Sequence, residues 1–182
     1  VNAARPARTG PRKDREMHLS ASLQSAMNEQ LNLELYSAYI YLAMSAWCEK
    51  EKLPGAASWL YAQAGEEVEH GMKFFHFIND RNGTVTLQPI DGPENDYAGL
   101  LEVFQTALGH EQHVTTQINT IYALAIQEED FASQRFLDWF ITEQVEEEKN
   151  AGDIVARLEL ASGSGEALYF VDRDLGRRAS GD

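Results

Sequence analysis

Four long stretches of the chain repeat apolar side chains at alternating steps of three and four, the spacing that lines one face of an α-helix. The first stripe runs Met27, Leu31, Glu34, Ala38, Tyr41, and the second Leu60, Ala64, Glu67, Gly71, Phe74, Ile78. The third runs Phe104, Leu108, Glu111, Thr115, Ile118, Tyr122, and the fourth Phe136, Phe140, Glu143, Glu147, Ala151, Ile154, Leu158. Capping and breaking residues set the boundaries. Ser20 to Ser22 can cap a first helix that runs to about Cys48, and Pro54 opens a second that Asn82-Gly83 breaks near Arg81. The third helix is expected from about Asp96 to Gln127, and the fourth from about Asp130 to Leu160, where Ser162-Gly163-Ser164-Gly165 stops it. A short tail helix covers roughly Glu166 to Leu175.

Loop lengths turn these elements into a topology. Short connections after the first and third helices make antiparallel pairs, while the long stretch from Thr84 to Asn95 lets the third helix run parallel to the second. The expected fold is all-α: a four-helix bundle with a long crossover between the second and third helices and a short C-terminal fifth helix. Helix midpoints then fall near residues 34, 68, 111 and 145, so Glu34, Glu67, Glu111 and Glu147 meet at one depth in the core.

A carboxylate on each buried stripe is costly unless something neutralises it, and four helices carrying the same fault point to a shared cause. Buried ion pairs would need lysines or arginines that the second to fourth helices scarcely supply on these faces, which favours divalent cations. Glu67 and His70, three residues apart, project from one helix face as a Glu-x-x-His half-site. The fourth helix carries Gln144-Val145-Glu146-Glu147 where a second such half-site would stand, so one ion gains an imidazole and the other is held by oxygens alone. Such an oxygen-rich set suits iron or manganese better than zinc, and the unequal halves suit an ion that is oxidised and released. Glu66, Glu143 and Glu146 also fit a solvated charge run. His18, His76, His110 and His113 lack a partner at ligand spacing.

Composition narrows the class. The 182 residues suit one domain, no apolar run approaches a membrane span, and the single cysteine, Cys48, excludes an intrachain disulfide or a cysteine metal cluster. Residues 1–17 hold five basic side chains and two acidic ones, which leaves 10 basic against 27 acidic elsewhere. That acidic body disfavours nucleic acid and attracts cations. The leader lacks the apolar core of a secretory signal and reads as a disordered basic extension, an expression remnant or a weak polyanion-binding arm, with Met17 as a natural start. The expected domain organisation is therefore leader 1–17, bundle with fifth helix 18–176 and flexible tail 177–182, in a cytoplasmic protein.

The segments Asn32-Leu33-Glu34-Leu35-Tyr36-Ser37, Glu66-Glu67-x-x-His70, Gly109-His110-Glu111-Gln112, Trp139 to Lys149 and Ser164 to Phe170 together resemble the bacterial non-haem ferritins, in order, over about Met17 to Leu175. The resemblance implies a ferritin-like bundle that oxidises Fe(II) with O2 or H2O2 and stores the ferric product inside a shell of 24 identical subunits. It implies a first iron on Glu34, Glu67 and His70, a second on Glu67, Glu111 and Glu147 with Glu67 bridging, and Gln144 close by. A third site is implied at Glu66, Glu143, Glu146 and Glu147, and a role in electron supply for Tyr41 and Trp139. Val68 stands where haem-binding relatives carry a methionine, so no haem is expected. Two alternatives are a rubrerythrin-type di-iron peroxidase, opposed by the missing cysteine pairs, and a DNA-coating miniferritin, opposed by the intrachain ligand set and the fifth helix.

Overall fold

The computed structural model describes residues 18–178; the basic leader 1–17 and residues 179–182 lie outside it, as do most of the residues expected to form a flexible tail. The elements are α1 (Ala21–Lys50), α2 (Pro54–Asp80), α3 (Leu100–Gln127), α4 (Phe131–Leu160) and α5 (Gly165–Arg178). Ser20 caps α1 by accepting the Leu23 N–H at 3.0 Å, and Asp130 caps α4 by accepting that of Ser133 at 2.9 Å. Four of the turns use left-handed backbone, at Lys52 after α1, at Asn82 after α2, at Glu129 between α3 and α4 and at Gly163 between α4 and α5.

α3 starts at Leu100, four residues later than the sequence suggests. Gly99 is extended, and Glu102 reaches back to accept the Ala98 N–H, so the caps belong to residues 98–102 and Asp96 stays outside the helix.

Two apolar clusters fix the topology. One joins the C-terminal part of α1, the N-terminal parts of α2 and α3 and the C-terminal part of α4, around Met44, Leu60, Phe104 and Leu158. The other joins the opposite ends, around Leu31, Phe74, Ile118 and Phe140. α1 is thus antiparallel to α2 and α3, and α2 runs parallel to α3, as the long crossover requires. Between the clusters lies a polar layer at the middle of every helix.

The crossover is held by a ladder of amides on α1. Gln24, Asn28 and Asn32, four residues apart, bond the backbone of Thr84, Thr86 and Gln88 at 2.6 to 3.1 Å. These bonds satisfy an extended segment that has no strand partner. At the far end α5 packs on α2. Leu53 offers α2 no side-chain cap, and Asp172 of α5 supplies one instead by accepting the Ala56 N–H at 2.8 Å. Gly55 permits this approach, because a Cβ there would lie 1.7 Å from the Asp172 carbonyl oxygen.

Candidate metal centre

The polar layer contains Glu34 from α1, Glu67 and His70 from α2, Glu111 from α3, and Gln144 and Glu147 from α4, all buried. Four of the stripes' carboxylates therefore occupy core positions as expected. Glu143 does not: it is half-buried, and the α4 stripe passes through Leu137, Phe140, Gln144, Glu147 and Ala151. Positions 143 and 144 both satisfy the three-or-four spacing between Phe140 and Glu147, so periodicity alone cannot choose between them.

Among the described residues two sets bring ligand atoms within 4.8 Å of one another: Glu34, Glu67 and His70, and His70, Glu143 and Glu147. His70 belongs to both. In the first set Gln30 donates to Glu34 Oε1 at 2.8 Å, while Glu34 Oε2 and Glu67 Oε1 are buried with no hydrogen-bond partner. His70 Nδ1 lies 3.7 Å from Glu67 Oε2. A buried carboxyl oxygen without a donor on each of these two glutamates is a cost that a cation would remove. Burial, then the neighbouring Glu67, pushes the Glu34 carboxyl well above the usual carboxylate range; burial, then Glu111, does the same to Glu67.

Glu111 is placed differently. Tyr41 donates its O–H to Oε1 at 2.5 Å, and the Gln144 amide donates to Oε2 at 3.2 Å. Burial still raises its carboxyl, but these two donors oppose the rise. Burial, then the charge of Glu111, pushes the Glu147 carboxyl up to about 7. Tyr41 is fully buried, and burial with the charge of Glu111 raises its phenol well above the usual value.

Of the outer candidates, Glu66 is half-buried, and its charge acts on Glu147. Glu146 is exposed and acts on Lys149. The structure therefore gathers Glu143 and Glu147 around His70 and leaves Glu146 at the solvent edge. Trp139 meets His70 edge-on at 5.2 Å and carries the Lys73 ammonium 4.2 Å above its ring. His110 belongs to neither ligand set; it pairs with Ser37 at 2.7 Å, and burial lowers it to about 4.

Three supporting residues were missed by the stripe reading. Gln30 and Gln63 each stand four residues before a core glutamate, one helical turn away, and both act on their partners' charge. The repeated Gln-x-x-x-Glu spacing was a usable signal. Glu148 is reached only through Thr115, which donates to it at 2.6 Å, and nothing in the sequence marks that bond.

The ferritin-like domain family matches residues 24–161. A bacterial non-heme ferritin of Escherichia coli O6:H1 is 39% identical over 157 residues, which span 86% of this chain and 95% of that protein. One of Staphylococcus aureus is 38% identical over 160 residues, 88% of this chain and 96% of its own length. The open pore ferritin from Archaeoglobus fulgidus, a solved structure, superposes with a TM-score of 0.87 and 39% identity over 88% of this chain and 98% of that one. By the family match over residues 24–161, these identities and the shared fold, the chain belongs to the ferritin-like domain family, among the bacterial non-heme ferritins.

Proposed function

We propose that the chain is the subunit of an iron-storage ferritin that oxidises Fe(II) at the centre of its own bundle. The observation that carries this reading is the set Glu34, Glu67 and His70, with its two donorless buried oxygens. Fe(II) is the substrate. The first ion is held by these three groups, whose mixed oxygen and nitrogen donors suit iron. The second takes Glu67, Glu111 and Glu147, and has no imidazole of its own. Two Fe(II) ions give up one electron each; O2 takes both with two protons to give H2O2, or H2O2 takes both with two protons to give two waters. Carboxyls that are protonated in the apo protein release protons as the cations bind.

Glu143, beside His70 and Glu147, gives departing iron its next carboxylate, with Glu66 near Glu147 and Glu146 further out. With Glu147 these are the four glutamates of the third site, Glu143 innermost and Glu146 outermost. Tyr41, bonded to Glu111, and Trp139, against His70, are close enough to supply electrons when fewer than two Fe(II) ions are present. The ferric product is stored inside a hollow assembly of 24 copies in the cytoplasm. No helix among the described residues is long and apolar enough to cross a membrane. Native mass spectrometry before and after aerobic Fe(II) loading tests the reading: a cage that gains hundreds of irons is expected, and a small oligomer holding only a few per chain contradicts it.

A further inference from the structure

The amide nitrogen of Gln144 has three acceptors around it: Glu111 Oε2 at 3.2 Å, the Glu111 carbonyl oxygen at 3.3 Å and Thr115 Oγ1 at 3.3 Å. Thr115 has one hydroxyl proton, and it donates that proton to Glu148 Oε1 at 2.6 Å. A carboxylate accepts, so the proton is committed outward and Thr115 turns only lone pairs toward Gln144. Glu111 holds the amide from within through two acceptors, and Thr115, its own direction set by Glu148, adds the third from outside. Reversed, the amide would aim its carbonyl oxygen at the second ion position, where it could serve as a ligand for a cation. That reversal is opposed by the two Glu111 acceptors and, while Thr115 donates outward, by the Thr115 lone pairs as well.

We propose that Thr115 and Glu148 are positioning residues that hold the Gln144 amide with its N–H inward and so keep the second ion weakly bound. The strap withholds an oxygen ligand and occupies Glu111 Oε2, two effects of the same sign. A second ion held in this way is easily passed on after oxidation. The inference rests on the iron-oxidising reading above. Thr115, Gln144 and Glu148 line a cavity of about 320 Å³ between α3 and α4, with Ile118 and Ile141 among its walls, so the isosteric change Thr115→Val leaves the bundle packed.

The test is a calorimetric titration of Fe(II), under argon, into the assembled full chain. In Thr115→Val the second binding step tightens about two- to tenfold, the range that one hydrogen bond commands, while the first step is unchanged. Thr115→Ser, which keeps the hydroxyl, behaves as wild type. Glu148→Met acts from the rim: it frees the Thr115 proton to turn toward Gln144 and tightens the second step in the same direction. A generally loosened site would weaken binding, so the sign separates the two causes. A second step that is unchanged or weaker in both Thr115→Val and Glu148→Met overturns the proposal, as does a serine variant that behaves like valine. Wild-type protein that binds no pair of Fe(II) ions per chain removes the functional reading itself, and the inference with it.

Discussion

Glu34 Oε2 and Glu67 Oε1 are buried without a donor, whereas both oxygens of Glu111 already accept one, from Tyr41 and from Gln144. The two halves of one centre thus pay for buried charge in opposite ways. On the α1–α2 side one oxygen of each carboxyl is left without a donor, and a proton or a cation would satisfy it. On the α3–α4 side hydrogen bonds already do part of that work, and an incoming cation must compete with them. The difference teaches an order of filling. The first ion relieves repulsion between Glu34 and Glu67 and gains His70; the second finds spent lone pairs and no imidazole of its own.

The heaviest blow to this comparison is the double change Glu67→Ala with His70→Ala, which removes the first half. Initial aerobic Fe(II) oxidation, followed by stopped flow, should fall by more than the roughly 10- to 100-fold typical of losing an outer-shell partner. Helicity should survive, because the deleted carboxyl is a cost to the apo fold. A rate equal to wild type would show that oxidation happens elsewhere.

A second prediction concerns the apo protein. Burial and Glu111 push the Glu147 carboxyl up to about 7 from an ordinary 4.5, so between these values the folded chain should keep a proton that the unfolded chain has lost. The stability linked to that proton is complete below about pH 4.5 and is lost as pH rises through 7. Measured against Glu147→Gln, which cannot titrate, wild type should lose up to about 3 kcal/mol across this window, at about 1.36 kcal/mol per pH unit of displacement. Denaturant melts of both proteins at pH 5 and pH 7.5 check it, and parallel pH dependences would show that Glu147 is not held protonated.

Third, Glu143→Ala should change iron turnover more than Glu146→Ala, because only Glu143 lies beside His70 and Glu147. Anaerobic Fe(II) titration should keep the first binding step in both variants, and equal turnover defects would give Glu146 the same weight as Glu143 in the third site. The smallest effect is expected from Glu128→Gln with Glu129→Gln in the exposed α3–α4 turn. If these charges draw cations inward, neutralising them slows uptake a few-fold at low ionic strength and hardly at all at high salt. Both halves of the centre should fill in unchanged order, since the change precedes either.

Much of the arrangement could be read from spacing. The positions of Glu34, Glu67, His70, Glu111 and Glu147 follow from the helical period and from loop lengths, because a mid-helix residue keeps its depth whichever way its helix points. What was hidden depends on contacts between distant segments. The Gln24, Asn28 and Asn32 ladder has a helical spacing, yet its partners are backbone groups more than 50 residues away. Asp172 capping α2 is separated from Ala56 by 116 residues, so no local cap signal exists at Leu53. The choice between Glu143 and Gln144 was ambiguous by geometry, and the half-buried setting of Glu143 is what makes it an outer carboxylate.

The order of filling is tested most directly by anomalous diffraction from crystals of the assembled protein soaked anaerobically with less than one Fe(II) per chain. The account predicts one peak, between Glu34, Glu67 and His70, with the position beside Glu111 and Glu147 filling only as iron is raised. Equal peaks at both positions from the start, or a first peak on the Glu111 side, would contradict it.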